Sequence, residues 1–461
     1  MKLAMTAALA LSLGGLTPTA LAAPISQAYM PLERKSNTAQ AQAKGFIEGS
    51  SLTGSTRNWF AKEQLKRGAR FSIDKGNGVK ESSGSRDSWV QGTILDFSSG
   101  FTQGALGLST EVAMYNAIAL QRGKGRVAGG GNRTLTHRSN GEVVDQWSKL
   151  GLANIKARVA NTTLTAGRQA LNTPVLAAIG NRALPSSFQG IAVNSSEFDT
   201  LSVDLGSFDR VSPRTEQSLQ KFSSAYGDRR FTADRVHIAG IQYQPLKSLT
   251  SSIYLSSVED LWNQLYIGAS HDLGDSSVLS LNTSFSYYKT RDAGLGKLGA
   301  IDNDTGSLAF TARHNAHSLT LAYQQVDGNE YFDYLRETNS IFLANSLVSD
   351  FNGPNEKSLQ VGYTLDMAAF GVPGLKLNAY TARGWGIDGT HYQGSGYAGL
   401  QQMDGETHYE YGAGASYVIQ DGPLKATSVR GTYSTHKASA NQADGNLDEL
   451  RLVTTIPFNI L

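Results

Sequence analysis

Alternation of apolar and polar residues at every second position is the feature that most limits how this chain can fold. Leu450, Leu452 and Ile456 share one parity near the end of the chain, and Arg451 lies between two of them. A period of two is that of an extended strand with two unlike faces. The same pattern recurs from Lys44 onward, separated by polar turns, without a clear domain boundary. The sequence therefore predicts an all-β protein.

Loop lengths separate a membrane barrel from a soluble β-sandwich, which would also alternate. Long connections at 290–305, 325–357 and 383–408 lie on alternate hairpin ends, whereas turns such as 315–316 are short. Lopsided loops of this kind are typical of outer-membrane barrels. With strands of ~10 residues and uneven loops, the chain has room for roughly 16 to 18 strands. We therefore expect a transmembrane antiparallel β-barrel of about 18 strands, which is wide enough for an aqueous passage.

Composition supports strands over a thick helical core, because only 40% of the residues are apolar, 49 are glycine and none is cysteine. The 41 basic and 39 acidic residues nearly balance, so no bulk charge indicates a nucleic-acid partner. The sequence predicts no cofactor and no metal site. His314 and His317 are the pair considered for a metal, and two turn histidines without a metal are the favoured interpretation.

Residues 1–22 have the pattern of a secretory signal peptide. Lys2 precedes an apolar stretch, and Ala-Leu-Ala at 20–22 is a small-x-small cleavage site. An N-terminal membrane anchor, the alternative, would need a longer apolar run. After cleavage, residues 23–44 would form a polar lead, and residues 45–461 would form a single barrel.

Strand parity sorts the charged side chains between lipid and lumen. A charge that faces lipid near the bilayer midplane costs about 2 to 4 kcal/mol, so alternation turns Arg451 toward the lumen. A salt bridge with Glu449 or a place at the rim is the alternative. The same parity turns inward a further set of polar side chains. They are Arg57, Lys156, Arg158, Lys376, Tyr380 and Arg430.

Two arginines break the parity of their segments. Alternation from Leu164 would aim Arg168 at lipid, but Gly167 permits a bulge. Arg168 is therefore expected to line a constriction, with an interfacial position as the alternative. Arg383 is expected to lie in a loop.

Several motifs together resemble the OprD family of outer-membrane substrate-specific channels, in order from about Lys44 to Leu461. The resemblance implies a monomeric 18-stranded barrel in the outer membrane of a Gram-negative cell. It also implies extracellular loops folded into the pore, with a constriction near 171–198. The motifs include SGFTQGALG at 99–107, SSFQGIAVNSSEF at 186–198, SIFLANSLVSDFNGPNEKS at 340–358, GIDGT at 386–390 and ELRLVTTIPFNIL at 449–461.

The family resemblance implies passive uptake of small carboxylate-bearing nutrients along a ladder of basic side chains. Such nutrients are aromatic or aliphatic acids, amino acids or short peptides. Thr432 and Tyr380 stand where the OprD pattern carries arginine, so this ladder differs from it. We expect Arg158 and Arg430 to line the narrow region. The positions that match the family are Arg57, Arg158, Arg430 and Arg451.

The expected partners follow from the interpretation of the chain as an outer-membrane channel. They are small carboxylate solutes, outer-membrane lipid and lipopolysaccharide, and the barrel-assembly machinery. An outer-membrane barrel enzyme, such as a lipase-like protein, is the alternative function. The sequence has no G-x-S-x-G elbow between strand and helix signals, so the prediction is a channel and not an enzyme.

Overall fold

The computed structural model describes residues 38–67, 71–74, 80–121 and 144–461. The predicted signal peptide and most of the polar lead lie outside the described residues. In the part of the chain that is described, no helix has the length and apolarity needed to cross a bilayer.

Eighteen antiparallel strands form one sheet that closes on itself. Each strand pairs with the next along the chain, and the first pairs with the last, which confirms the predicted barrel. Three short two-stranded ladders lie outside this wall. The wall strands are β1 Ser51–Leu65, β2 Ser85–Ser98, β3 Gly107–Ala119, β4 Gln146–Val159, β5 Thr162–Gln169, β6 Ser187–Phe198, β7 Leu201–Ser212, β8 Val236–Leu246, β9 Leu249–Val258, β10 Trp262–Asp275, β11 Leu279–Asp292, β12 Asp302–His314, β13 His317–Asp327, β14 Lys357–Asp366, β15 Leu375–Ile387, β16 Glu406–Val418, β17 Ser428–Ala438 and β18 Leu447–Asn459.

The outer surface of the wall is apolar because the alternating residues point away from the lumen. On β12 and β13, Leu308 pairs with Tyr323 and Phe310 pairs with Leu321, and all four side chains are exposed. A closed sheet leaves no unpaired strand edge, so backbone polar groups of the wall are satisfied inside a bilayer. The exposed apolar belt is therefore the surface that such a barrel presents to lipid.

The C-terminal strand follows the predicted parity. Leu450 and Leu452 are 38% and 49% exposed, whereas the side chain of Arg451 between them is only 15% exposed. Glu449 and Val453 share the inward face with Arg451 and are buried. The arginine between two leucines thus faces the barrel interior.

The two ends of the barrel differ in loop length. Short turns, such as 160–161 and 315–316, lie at the end where β1 begins and β18 ends. In outer-membrane barrels the short turns face the periplasm and the long loops face outward. We call these the short-turn end and the long-loop end. The long connections are 170–186, 213–235, 328–356 and 388–405.

The long connections fold into the barrel and build an apolar core against one side of its wall. Phe332 of the 328–356 connection lies 4.7 Å, between ring centroids, from Tyr288 of β11. Tyr288 in turn lies 4.7 Å from Tyr266 of β10. All three side chains are almost completely buried, as is Leu343. These loops therefore occupy part of the lumen that a barrel of this width would otherwise leave open.

Two sequence-based boundaries need correction. The connection expected at 171–198 is shorter, because Ser187–Phe198 is the wall strand β6 and only residues 170–186 leave the wall. Alternation in β6 is real but weak, since Gly190 and several small polar residues dilute it. Arg383 was assigned to a loop, but it lies within β15 and is exposed on the outer face. Its guanidinium lies 5.8 Å from the ring of Trp385 and 5.3 Å from the ring of Tyr409.

Candidate functional site

Three arginines from neighbouring strands meet on the luminal face. Arg57 lies on β1, Arg430 on β17 and Arg451 on β18, and β18 pairs with both other strands. In register, Arg57 is opposite Thr455 and Arg430 is opposite Val453, so the two arginines lie at nearly the same height. The guanidinium of Arg430 is close enough to those of Arg57 and Arg451 for electrostatic repulsion. We call Arg57, Arg430 and Arg451 the arginine cluster.

Arg57 also holds the 170–186 connection against the wall. Its Nη1 donates to the carbonyl oxygens of Gly180 and Arg182 at 2.7 and 2.8 Å. Its Nε donates to Oγ1 of Thr455 at 3.1 Å. The connection leaves β5 and reaches β1, which lies four strands away along the sheet. It therefore crosses part of the lumen at the level of the arginine cluster.

Arg451 forms the ion pair that the sequence offered as the alternative, and the pair faces inward. Its Nη2 lies 2.5 Å from Oε1 of Glu449. Its guanidinium also lies 5.7 Å from the ring of Trp59 on β1. The indole Nε1 of Trp59 donates to the carbonyl oxygen of Asn181 at 3.1 Å, so the aromatic residue contacts the same connection as Arg57.

Lys156 and Arg158 lie on β4, away from the arginine cluster and close to the short-turn end. Lys156 forms an ion pair of 3.0 Å with Glu111. Arg158 precedes the last residue of β4, and its guanidinium stacks 3.7 Å from the ring of Phe101. Its Nε donates to Oε1 of Gln40 at 3.0 Å. Arg158 therefore lies at the short-turn end, whereas the inward connections enter from the opposite end, and its role in the narrow region stays a prediction.

Arg168 is half-buried, and the bulge that was expected at Gly167 lies one strand away. Gly167 has a φ of 121°, yet β5 pairs without a register shift on both sides. The shift occurs in β4, where Gly151 is skipped between Leu150 and Leu152. An added Cβ on Gly151 would lie 2.2 Å from the ring of Tyr115, so this position requires glycine. The guanidinium of Arg168 donates to the carbonyl oxygen of Leu150 beside this bulge.

Lys376 and Tyr380 both lie on β15 but in different surroundings. The side chain of Lys376 is 57% exposed near the short-turn end and lies 3.6 Å from Asp366. Tyr380 is 5% exposed, and its hydroxyl donates to the carboxylate of Glu410. Lys376 therefore faces solvent at the mouth, whereas the phenol of Tyr380 is bound to a buried acid.

A buried ion pair between two connections was missed by sequence reasoning. Arg214 donates from Nε and Nη2 to the carboxylate of Glu337 at 2.8 and 3.1 Å. Its Nη1 donates to Oδ1 of Asn181. Burial disfavours the charged carboxylate, but Arg214 outweighs burial and lowers the pKa of Glu337. The connections 170–186, 213–235 and 328–356 are thus joined by one network, and strand parity could not reveal it because none of these residues lies in a strand.

A second buried acid, in the 328–356 connection, bonds to the connections 213–235 and 388–405. The carboxylate of Asp333 accepts from the hydroxyls of Ser224 and Tyr397 and from the backbone nitrogen of Tyr334. Burial raises the pKa of Asp333 to about 6 in spite of these donors. Burial likewise raises the pKa of Glu330 to about 7. These acids support the inward fold of the loops.

A closed barrel with an apolar belt, inward-folded loops and inward arginines defines an outer-membrane diffusion channel. The chain belongs to the OprD family of outer membrane porins, whose family pattern matches residues 44–460. Members of this family are outer-membrane porins, which agrees with the barrel fold of this chain.

Relatives of known identity support this assignment. The chain is 36% identical to Porin D of Pseudomonas aeruginosa over 434 residues, which cover 92% of this chain and 94% of the relative. The crystal structure of Pseudomonas aeruginosa OccD3 (OpdP) is 46% identical, with a TM-score of 0.80 over 93% of this chain and 95% of that one. The first of these relatives is a porin by name.

Two further structures of similar proteins contain carboxylates. Pseudomonas aeruginosa OpdK with vanillate is 25% identical, with a TM-score of 0.77 over 90% of this chain and 100% of that one. Pseudomonas aeruginosa OccK2 (OpdF) with glucuronate is 25% identical, with a TM-score of 0.75 over 92% of this chain and 100% of that one.

Proposed function

We propose that this barrel admits small carboxylate-bearing nutrients by passive diffusion. The arginine cluster is the observation that carries this proposal, because it gathers three arginines on adjacent strands of the luminal face, with Arg57 and Arg430 at nearly the same height. A guanidinium stays charged at any relevant pH and offers a carboxylate two parallel donors. Arginines whose only role is to form surface ion pairs could lie anywhere on the protein. Their grouping on the luminal face therefore favours a role in solute passage.

The basic side chains suit transport because they are spread over the lumen rather than joined in one site. Lys156 and Arg158 lie near the short-turn end, and Arg168 lies on β5. A channel has to attract a solute and still release it, so several weak contacts move an anion better than one deep well. We infer that a carboxylate passes from the arginine cluster toward Lys156 and Arg158.

The 170–186 connection would set the narrow point of this path. It crosses to β1 and places carbonyl oxygens against Arg57. On β2, an added Cβ at Gly92 would lie 2.4 Å from the carbonyl oxygen of Ala183. The connection is therefore seated against the wall with little clearance, directly beside the arginine cluster.

Carboxylate chemistry in related channels supports the same class of solute. Vanillate is an aromatic acid and glucuronate is a sugar acid, and both present one carboxylate to a barrel of this fold. The class proposed here is therefore aromatic or aliphatic acids, amino acids and short acidic peptides.

The setting proposed for the channel is a monomer in an outer membrane that contains lipopolysaccharide. Arg383, Lys357 and Lys437 are exposed on the outer face near the long-loop end. Lys437 lies 5.9 Å from the ring of Tyr411, and such paired cations and aromatic rings suit an interface with anionic headgroups. Export by a cleaved signal peptide at 1–22 and insertion by the barrel-assembly machinery complete this proposal.

Matched acid and amide solutes test the proposed function. Proteoliposomes with the purified barrel should take up benzoate faster than benzamide and glutamate faster than neutral amino-acid amides of similar size. In planar bilayers the protein should give discrete conductance steps that carboxylates reduce. Equal uptake of acid and amide would contradict carboxylate preference, and lipid hydrolysis without conductance would favour the enzyme.

A further inference from the structure

Two buried histidines face each other near the long-loop end, and neither belongs to the arginine cluster. His408 of β16 and His436 of β17 are 1% and 3% exposed. Nδ1 of His408 lies 2.7 Å from Nε2 of His436. The carboxylate of Asp444, in the connection between β17 and β18, comes within 4.8 Å of both rings. No other group of three such residues lies close enough for a metal within the described residues.

The outer nitrogen of each histidine already donates a hydrogen bond. Nε2 of His408 lies 2.5 Å from Oε1 of Glu356, and a carboxylate accepts. Nδ1 of His436 lies 2.6 Å from the carbonyl oxygen of Gly445, which can only accept. Both outer nitrogens therefore carry the ring proton. With both rings neutral, the two inner nitrogens face each other as lone pairs, which is a contact that either a proton or a metal cation between them would satisfy.

The outer partners are those that metal-binding histidines use. A ligating histidine donates its second N–H to a carboxylate or a backbone carbonyl, which fixes the tautomer and the ring orientation. His408 has the carboxylate of Glu356 in this role, and His436 has the carbonyl of Gly445. Two imidazoles and one carboxylate are a donor set that suits Zn²⁺.

The charge around the histidines also favours a divalent cation. Glu410 is completely buried and accepts from the backbone nitrogens of Val348 and Ser349 at 3.1 and 2.8 Å. Glu356, Glu410 and Asp444 therefore surround the two neutral rings with carboxylates. The hydroxyl of Ser349 donates to Asp444 at 2.6 Å, so the carboxylate is held beside the histidines.

We propose that His408, His436 and Asp444 bind a divalent transition-metal ion, with Zn²⁺ as the representative ion. Two imidazole nitrogens on a tetrahedral zinc lie about 3.3 Å apart, because each Zn–N bond is about 2.05 Å. The inner nitrogens would therefore move apart by roughly 0.6 Å on binding. Exposed Asp444 gives the ion a route from solvent.

Metal binding at this site would fasten the long-loop end of the channel. His408 and His436 belong to the wall, Asp444 belongs to the connection after β17, and Glu356 ends the 328–356 connection. The ring of Phe351, from the same connection, stacks on His408 with centroids 4.2 Å apart. An ion bound here would join the inward-folded connection to two wall strands.

Zinc binding to the full-length purified barrel tests this proposal. Metal-free protein is dialysed against Zn²⁺, and bound zinc is measured by elemental analysis together with the temperature at which the folded band is lost on electrophoresis. We expect one zinc per barrel and a higher unfolding temperature. His436→Ala and Asp444→Asn should each weaken zinc affinity at least 10-fold, whereas His391→Ala, at an exposed loop histidine, should bind as the wild type does.

Each result of this experiment either supports or overturns the zinc-binding proposal. Asp444→Asn keeps both buried rings, so it reports on the site even if His436→Ala fails to fold. Zinc binding that both variants leave unchanged would place the ion elsewhere and overturn the proposal. Absence of zinc binding would also overturn it and would leave a proton shared between the two rings. Solute uptake by the wild type is measured separately, so a negative zinc result leaves the proposed channel function intact.

Discussion

The two sides of the lumen hold their charged side chains in different environments. On β1, β17 and β18, three arginines face the interior and keep part of their surface accessible. On the side that is filled by the inward connections, the acids are almost fully buried and bound by hydrogen bonds. These acids are Glu330, Asp333, Glu337, Glu356 and Glu410.

This difference distinguishes charged groups that hold the loops from charged groups that we propose meet the solute. A buried carboxylate that accepts several donors stabilises the loops but cannot meet a passing solute. A guanidinium has five N–H donors, so a partly accessible arginine can meet a passing solute in addition to its protein partners. Arg57 belongs to both groups, because it holds two loop carbonyls while it lies in the arginine cluster. We therefore expect substitution of the buried acids to destabilise the loops. Substitution of Arg430 should instead change the selectivity for anionic solutes.

The largest effect is expected from Glu337→Gln on the loop-packed side. Removal of one partner of a buried ion pair costs about 3 to 5 kcal/mol, because Arg214 stays buried without its counterion. The connections 213–235 and 328–356 should loosen, and single-channel conductance should rise and fluctuate. Glu259→Gln, at an exposed carboxylate near the same end, is the control and should behave as the wild type does.

A double variant separates charge from packing at this pair. Arg214→Met combined with Glu337→Leu replaces both charges by apolar groups, which is often neutral or stabilising. We expect it to recover the thermal stability that Glu337→Gln loses. If Glu337→Gln alone keeps wild-type stability and conductance, the buried pair does not hold the loops.

A smaller effect is expected where the 170–186 connection meets the wall. Gly92→Ala would place a methyl group 2.4 Å from the carbonyl oxygen of Ala183, so the connection has to shift. Overpacking of this kind costs about 1 to 3 kcal/mol. Conductance should change, and hydrogen exchange of the connection should increase. Gly306→Ala is the control, since its nearest neighbour would be at 3.6 Å; equal behaviour of the two variants would show that the connection does not narrow the path.

Charge reversal at Arg430 tests the basic side. Arg430→Glu would turn attraction for a carboxylate into repulsion, with a change of at least about 1.4 kcal/mol at 4 to 6 Å in a water-like dielectric. Carboxylate flux should fall about tenfold, and the reversal potential should move toward cation preference. Lys437→Glu, on the outer face, is the matched control. Folded Arg430→Glu barrels with wild-type selectivity would make the arginine cluster structural.

The smallest effect is a pH dependence of the loop-packed side. Burial raises the pKa of Asp333 to about 6, against about 3.9 in an unfolded chain. Its contribution to stability is therefore full below the unfolded value and is lost as pH rises through about 6. From pH 5 to pH 7 the loops should lose about 1 kcal/mol.

Hydrogen exchange of residues 328–356 at pH 5 and pH 7, corrected for intrinsic rates, measures this change. Asp333→Asn should reduce the pH dependence, and Glu330, whose pKa is raised to about 7, should supply the remainder. Greater protection at pH 7 than at pH 5 would contradict the sign. Glu337 has a lowered pKa, so it loses its contribution only at more acidic pH and does not interfere.

The wall of this barrel could be predicted from sequence, and the loops could not. A strand repeats every two residues, so the faces of Arg57, Arg430 and Arg451 followed from neighbours in sequence. Arg214 and Glu337 are 123 residues apart in connections that have no repeat. Their pairing depends on how three loops pack together, and no local pattern encodes that.

Two predictions for arginines in the wall were partly wrong, and each error has a physical cause. Arg168 was placed beside a bulge at Gly167, but the register shift lies at Gly151, where only glycine leaves room for the ring of Tyr115. Arg383 breaks the polar parity of its strand, which predicted a loop, but the residue lies within β15. An arginine between Trp385 and Tyr409 can reach the polar edge of a bilayer.

The pairing of β1 with β18 has a consequence for biogenesis. Arg57 and Thr455 form a hydrogen bond across 398 positions of sequence, so this seam is the most distant contact that the chain makes between strands. Contacts of such separation form late, because the intervening chain has to be ordered first. The arginine cluster straddles the seam. Arg430 and Arg451 lie on adjacent strands, but Arg57 joins them only when β1 pairs with β18, so the arginine cluster is completed in the same step that closes the barrel.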